Sequence, residues 1–581
     1  TFLEAKMILS LIEEDQVELE NIRLKMKLNT LQFETKISQI KEDLKSFGVV
    51  LNFCYKRFQE DKKPSGHLLT FGDFEDESFS LRNQLNGLNK MLKRHNYSEK
   101  SICSLLNLES LQQIEPTKMH YYAEFILGDD SLSILIKLFL LRSKVSESYV
   151  RELFGEKLFK TLMDIGLLLN SDNYITSRVD LFAVEDLFIA TDHRYMFLSE
   201  DKIDEDPVMY LGMDSHGLVQ TVPRKRSNET LDLCCGSGIQ GLIASSYSKK
   251  VISVDINPRA IRFSRFNAQL NGIDNINFQL GNLYEGLKGM TFDLILANPP
   301  FVPSPNTNYK FRDGGSNGEE ILKEIVIESK KHLKEFGRLC IVTDLVDIKS
   351  YDSKLSHWLQ GASYQALVLH TADRDEILFS VPHSHAPFGQ SYEDYIDELN
   401  SWVVNFRNSE LKNVNFGYIL VEMTSDGEPN IYNKIINNPS KPIFSDVKRF
   451  FSDYSLLKSK KGGDYYLSTV SGLSLRQDYD LNSGLNSFKA TVPENAYFTE
   501  YTLKESLFNS LKEIGQRNPR YKDFINDHNI KIIKDLILKG LIKLSKAKCT
   551  PFLAEESQED PLFISEIETK TTPTCLSSYL K

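Results

Sequence analysis

Between residues 230 and 423, short apolar runs alternate with stretches whose apolar side chains recur every three or four positions. The runs TLDLC (230–234), KVISVDI (250–256), INFQL (276–280), FDLILA (292–297), GRLCIVTD (337–344), YQALVLH (364–370) and NFGYILVEM (415–423) predict seven strands. Helices are predicted between the early ones, in PRAIRFSRFNAQLNG and GEEILKEIVIESKKHLKEFG. Strands and helices in alternation predict an α/β fold built on a doubly wound sheet. The stretch between the sixth and seventh strands, 371–414, is far longer than a hairpin connection of about 2–5 residues. Such an insertion beside the carboxyl edge of the sheet is expected to recognise substrate, although its Asp373, Arg374, Asp375 and Glu376 do not identify one.

The flanks follow other patterns. Residues 1–120 predict a helical domain, with segments such as LQFETKISQIKEDLKSFGVVL spacing apolar residues for one helix face, and KKPSGHLLTFGDFEDES as a loop. These helices are expected to serve packing, docking or a homodimer rather than chemistry. LFKTLMDIGLLL (158–169) and IIKDLILKGLIKL (532–544) each run from an apolar helix through a glycine to apolar residues of strand character. Gly166 and Gly540 suit the left-handed stop past a helix. Helix, glycine and strand in that order predict a winged-helix-like region over 121–204, and another at the end of an α+β domain over 425–581. The domain carrying the alternating pattern then spans 205–424.

Composition narrows the class. Over 581 residues several cores are expected, and 41% hydrophobic with 26% charged residues is an ordinary globular balance. No apolar run approaches the ~20 residues that span a bilayer. The opening TFLEAKMILSLIEEDQ lacks a signal-peptide pattern. Seven cysteines without CxxC spacing argue against a disulfide framework or a zinc site and for a reducing, cytoplasmic setting. A formal charge of −11 disfavours a chain-wide grip on nucleic acid, though a local basic patch would still be compatible with it. His383 and His385 in PHSHAP have no third ligand nearby, so a surface loop is expected and no metal.

The chemistry concentrates at two places. LDLCCGSGIQG sets Gly236, Gly238 and Gly241 after the first strand, which satisfies GxGxxG, and Asp255 ends the second strand, where an acid can bind ribose hydroxyls. A nicotinamide enzyme would carry both. Asp232, just ahead of the loop, suits an ammonium better than a pyrophosphate. LILANPPFVPSP ends the fourth strand on an asparagine, two stiff prolines and a phenylalanine. Together D-x-x-C-G-x-G, the acid of the second strand and N-P-P-F resemble a class I S-adenosylmethionine-dependent methyltransferase of the amino-group branch. FRDGGSNGEEIL is similar to the segment that follows NPPY in release-factor glutamine methyltransferases. The resemblance covers about 205–424 and implies a Rossmann-like, seven-stranded methyltransferase sheet.

It also implies roles. Asn298 and the Pro299 carbonyl would hold the acceptor, Phe301 would stack on it, and Arg312 and Asp313 would clamp the substrate or close their own loop. S-adenosylmethionine would meet Asp232, Cys234, Gly236, Gly238, Asp255, Ile256, Asn282, Leu283 and Asn298. Asn282 stands where many relatives carry Asp, while Cys234 and Cys235 are small enough to act as buried fillers. Ser215 and His216, ahead of the first strand, could touch the cofactor. The function expected is N-methylation of a protein, peptide or peptide-like metabolite. RNA or DNA base methylation, O-methylation of a small molecule, and a cofactor-binding scaffold are the alternatives.

Overall fold

The computed structural model describes residues 79–194, 206–306, 309–384, 390–425, 429–436, 442–458, 464–481, 483–492 and 500–546, with Lys36, Ile37 and Ile40. The loop expected at 62–78, His385 and the tail from 547 lie outside the described residues, as does nearly all of the helical segment 31–51. The chain divides into two units, 1–68 and 69–581, and the elements below belong to the second.

In chain order the first elements are helices α1 (Phe79–Arg94), α2 (Glu99–Leu106), α3 (Pro116–Tyr121) and α4 (Ser131–Phe139). Strand β1 (Val145–Ser146), helix α5 (Glu147–Asp164) and strands β2 (Leu168–Ser171) and β3 (Tyr174–Ser177) follow. Helix α5 is broken at Gly155, and the three strands form a sheet in the order β1-β3-β2. Helix, glycine and strand thus follow one another over 147–171. Gly166 ends α5 at φ +72°, and the next amide, Leu167, returns to the Leu162 carbonyl. A separate hairpin, β4 (Asp180–Val184) and β5 (Leu187–Thr191), comes next.

The central domain runs α6 (Met213–Thr221), β6 (Ser227–Leu233), α7 (Ile239–Ala244), β7 (Ser248–Asp255), α8 (Pro258–Asn271), β8 (Ile276–Leu280) and β9 (Phe292–Ala297). It continues through α9 (Glu320–His332), β10 (Leu333–Val346), α10 (Tyr351–Trp358), β11 (Tyr364–His370), α11 (Glu376–Ser384), α12 (Tyr392–Asn408), β12 (Val414–Met423) and β13 (Asn430–Ile435). The sheet has eight strands, not the expected seven, in the order β13-β11-β12-β10-β9-β6-β7-β8. The extra strand, NIYNKI, lies beyond the 424 boundary and pairs in parallel with β11. Only β12 runs against its neighbours. The expected strands were read from apolar runs; half of β13 is Asn or Lys, as an edge strand with one solvated side allows.

Both faces of the sheet are covered, so its strands read as near-continuous apolar runs. Leu231, Ile295, Leu339 and Ile341 pack with Leu322 and Ile325 of α9 on one face. Leu294, Leu296, Val342 and Leu420 meet helix α13 (Phe444–Lys458) through Val447 and Phe450 on the other. A further core joins α1, α4, α5 and the β4–β5 hairpin to Phe263 and Phe266 of α8. The remaining elements are β14 (Tyr466–Thr469), β15 (Ser474–Tyr479), β16 (Asn486–Thr491), β17 (Glu500–Leu503), α14 (Glu505–Arg517), α15 (Tyr521–Phe524), α16 (Ile530–Leu538) and β18 (Ile542–Ser545). They have their own core around Leu511, Ile514, Ile533 and Leu536, and Gly540 stops α16 at φ +73°. No helix among the described residues is long and apolar enough to cross a membrane.

Candidate active site

Sheet order fixes where a ligand can sit. The strand order reverses between β6 and β9, which run parallel, and the crevice outside the carboxyl ends of strands at such a switch point is open to ligands. Four segments meet there: Cys234–Gly238 after β6, Asp255 after β7, Gly281–Leu283 after β8 and Asn298 after β9.

The three glycines after β6 do different work. A Cβ on Gly236, at φ +53°, would meet nothing within 4 Å, so its backbone faces open space. A Cβ on Gly238 would stand 2.7 Å from Ser264 Cβ, and one on Gly241 2.5 Å from Ser253 Oγ. Gly238 and Gly241 therefore let α7 and α8 approach the sheet, and Gly236 alone leaves room for a ligand. Asp232 is fully buried. Its Oδ2 accepts the Gly241 amide at 2.8 Å, while Oδ1 has no partner. Burial pushes its carboxyl up to about 7. An acceptor orphaned in this way has an unmet need for a donor or a cation.

Asp255 is half-buried. Its Oδ2 takes the Gly236 amide and its Oδ1 the Asn257 amide, both at 2.8 Å. A carboxylate has about four lone-pair sites, so hydroxyls can still reach it. Ile256 beside it is 61% exposed, an apolar surface left open at the same edge. Asn282 is exposed, whereas Leu283 is buried and takes φ +49°. Cys234 also has positive φ, +55°, and burial pushes both adjacent thiols well above their ordinary range. Positive φ at non-glycine residues after β6 and β8, on either side of β7, is strain of the kind that clusters at binding sites.

Asn298 is held by one end. Its Nδ2 donates to Asp214 Oδ2 at 2.8 Å and to Ser215 Oγ at 3.2 Å, so its Oδ1, with no donor among the described residues, faces the other way. Burial raises the Asp214 carboxyl, and the Asn298 hydrogen bond offsets part of that. The Pro299 carbonyl likewise has no donor among the described residues. Phe301 lies 6.3 Å from the Phe416 ring. Asp214 and its partnership with Asn298 have no signature in the sequence; only Gly212, whose Cβ would meet Asp214 Oδ1 at 2.5 Å, marks that turn as cramped. His216 is buried and held neutral, its pKa lowered to about 4 by burial.

FRDGGSNG lies against the same corner. Val302 N–H donates to the Arg312 carbonyl and Gly314 N–H to the Val302 carbonyl, so NPPF and RDGG form a bridge. Of the two readings open for Asp313, the geometry is that of loop closure: Oδ1 takes Arg312 Nε at 2.7 Å and Oδ2 the Tyr309 amide at 2.9 Å. Arg312 stacks at 4.9 Å from Tyr309 and 5.3 Å from Trp402 of α12. Its terminal nitrogens have no hydrogen-bond acceptor among the described residues. Arg374 at the start of the insertion pairs with buried Asp344, and Glu376 with Arg407, so those charges serve the fold. His383 stacks on Trp402 at 4.9 Å and is held neutral, its pKa lowered to about 4 chiefly by burial.

The glycines of RDGG are a packing requirement. A Cβ on Gly314 would come within 2.8–2.9 Å of Phe301 and Pro300 backbone atoms. Gly314→Ala is expected to push the corner away, destabilise by about 1–3 kcal/mol and lower turnover. Thermal denaturation and kcat check this; a variant unchanged in both would show that the bridge tolerates a methyl group.

A central strand order of β8-β7-β6-β9-β10-β12-β11, a glycine loop with an orphaned acid, and an asparagine corner define a Rossmann-like methyltransferase domain. Residues 209–364 match the family described as Methyltransferase small domain. A Methanocaldococcus jannaschii protein named "putative protein N5-glutamine methyltransferase" is 35% identical over 132 residues, covering 21% of this chain and 66% of that protein. The release factor glutamine methyltransferase of Aquifex aeolicus is 31% identical over 136 residues, 21% of this chain and 48% of that protein. The chain thus spans from just under half to about two thirds of the length of these relatives. A solved rRNA methylase from Streptococcus thermophilus is similar over 37% of this chain and 96% of its own, at 14% identity; its TM-score of 0.22 carries no functional weight.

Proposed function

We propose that the chain is an S-adenosylmethionine-dependent N-methyltransferase whose acceptor is a planar amide or amino nitrogen of a protein or peptide. The observation that carries this reading is the fixed direction of Asn298, anchored through Nδ2 with Oδ1 and the Pro299 carbonyl left to accept. An amide nitrogen is a poor nucleophile because its lone pair is delocalised. Two acceptors that take its two hydrogens turn the lone pair toward a methyl donor, so positioning supplies most of the rate. Phe301 offers an aromatic face to the planar group. The names of both curated relatives, glutamine methyltransferases, agree with such an acceptor.

The residues fit S-adenosylmethionine. Asp232 Oδ1 would hold the ammonium, Asp255 the ribose hydroxyls, Gly236 would admit the chain, and Ile256, Asn282 and Leu283 would border the base. When bound, the cofactor supplies an electrophilic methyl group. Asn298 Oδ1 and the Pro299 carbonyl would hold the acceptor nitrogen in line with that methyl group, and the proton that nitrogen releases would pass to solvent. Arg312, stacked on Tyr309 and Trp402, would meet the substrate alongside the α11–α12 pair.

Labelled S-adenosylmethionine and a fractionated lysate test the acceptor. Label is expected in protein, released by base hydrolysis as methylamine. Methanol would instead mean an oxygen acceptor, and label confined to RNA or DNA would favour base methylation.

Asp232 adds a pH test. Its folded pKa, about 7, lies above the ordinary 3.8. Without ligand it therefore favours the folded state most below pH 3.8 and progressively less as pH rises toward about 7. Ammonium binding needs the ionised form, so affinity for S-adenosylhomocysteine should climb by up to about tenfold per unit toward pH 7 and then level. Titration calorimetry across that range should show Asp232→Asn weak and flat. A wild-type profile without that rise would remove Asp232 from the ammonium.

A further inference from the structure

Strand β5 pairs with β4 along one edge only. Its other edge is satisfied by two side chains of α8. Asn271 Oδ1 accepts the Phe188 amide at 2.9 Å and its Nδ2 donates to the Phe188 carbonyl at 2.7 Å. Asn267 does the same for Ala190, at 2.8 and 2.9 Å. The spacing suits this: four residues of helix rise about 6.0 Å and two residues of strand about 6.6 Å. Two asparagines thus stand in for a third strand.

They differ in their other partners: Asn271 Oδ1 also accepts from Asn89 Nδ2 of α1 at 3.4 Å. The Nδ2 of Asn271 also donates to the Asn267 carbonyl of its own helix. The Nδ2 of Asn267 instead donates to the Ser237 carbonyl, 2.9 Å away in the glycine loop. Asn267 is fully buried, as is Ala190, and Ser237 is nearly so. One amide group therefore joins the hairpin to the loop between Gly236 and Gly238.

We propose that Asn267 is a positioning residue that sets the glycine loop for the cofactor and makes the loop's geometry depend on the docked hairpin. The proposal rests on the reading that this loop holds S-adenosylmethionine. A displacement of β4–β5, by substrate or by a neighbouring domain, would be felt at Ser237 through Asn267 and not through Asn271.

Two substitutions in the full chain separate docking from positioning. Asn267→Ala and Asn271→Ala each remove a pair of hydrogen bonds to β5, but only the first removes the contact with Ser237. Amide hydrogen exchange without ligand should show 187–191 loosened in both variants and 234–241 loosened in Asn267→Ala alone. Calorimetric affinity for S-adenosylhomocysteine should fall about tenfold in Asn267→Ala and stay within about threefold of wild type in Asn271→Ala. If Asn267→Ala does not fold, Asn267→Ser is read on the same two measures. Equal loop exchange in the two variants would overturn the proposal, as would wild-type affinity in Asn267→Ala. If the unaltered chain binds no S-adenosylhomocysteine, the methyltransferase reading falls instead, and loop exchange alone decides the coupling.

Discussion

Asn298→Ala is expected to lower turnover by about 10²–10³-fold while affinity for S-adenosylhomocysteine stays within about twofold of wild type. The separation follows from geometry. Oδ1 is turned away from Asp214 and Ser215 toward the place an acceptor nitrogen would occupy, and it directs a lone pair that matters only as the new bond forms. Asp214→Ala should have a smaller effect in the same direction, about tenfold, because the amide keeps its oxygen but loses the partner that orients it. Asn298→Asp is the sharper variant. It would set a second carboxyl 2.8 Å from the Asp214 carboxylate, where like charges cannot both ionise. Residual activity should therefore be greatest at low pH, where a shared proton bridges the two acids, and should fall as pH rises. Single-turnover rates with the natural acceptor check all three. An Asn298→Ala enzyme with full turnover would reduce NPPF to a strand capped by prolines.

The parts legible in the sequence are those whose signal is local. All seven strands read from apolar runs lie in the sheet, with ends within a few residues of those expected, because a strand covered on both faces needs apolar residues throughout. The glycine loop and the asparagine corner were visible for the same reason, each being a short string with its own backbone demands. Contacts between distant segments leave no such trace. Asp214 meets Asn298 across 84 residues, and nothing near Asp214 in the sequence marks it out from the chain's other acids. Gly314 and Gly318 carry no packing signal of their own, yet their Cβ positions are filled by backbone and proline atoms of residues 300–303, a fact that exists only once the bridge has formed. Asn267 and Asn271 look like ordinary polar helix positions, and both face a strand edge more than seventy residues earlier in the chain. β13 escaped because half of NIYNKI is Asn or Lys, as an edge allows, and it carries no long apolar run.

Asp192→Ala is expected to destabilise the 79–278 core by about 3–5 kcal/mol, the cost of removing one member of a buried ion pair. Asp192, just past β5, takes Arg259 Nη2 at 2.6 Å and Nε at 2.8 Å, with both side chains almost wholly buried. Without that carboxylate the buried guanidinium loses the charge that accepts from its Nη2 and Nε, and the Val208 amide loses its acceptor as well. Asp192→Asn should recover little, since an amide can still accept from Val208 but cannot neutralise Arg259. Asp192→Ala combined with Arg259→Leu should recover more than half of the loss, because removing both charges removes the desolvation penalty with the attraction. Urea unfolding followed by hydrogen exchange of α1 and α8 would read the core rather than the whole chain. A loss below about 1 kcal/mol for Asp192→Ala would mean that water reaches Arg259. The consequence for chemistry follows from what lies past Val208: the same segment leads into α6 and Asp214, so loosening it at Asp192 should also lower turnover through the orientation of Asn298, with no change at any residue that touches the acceptor.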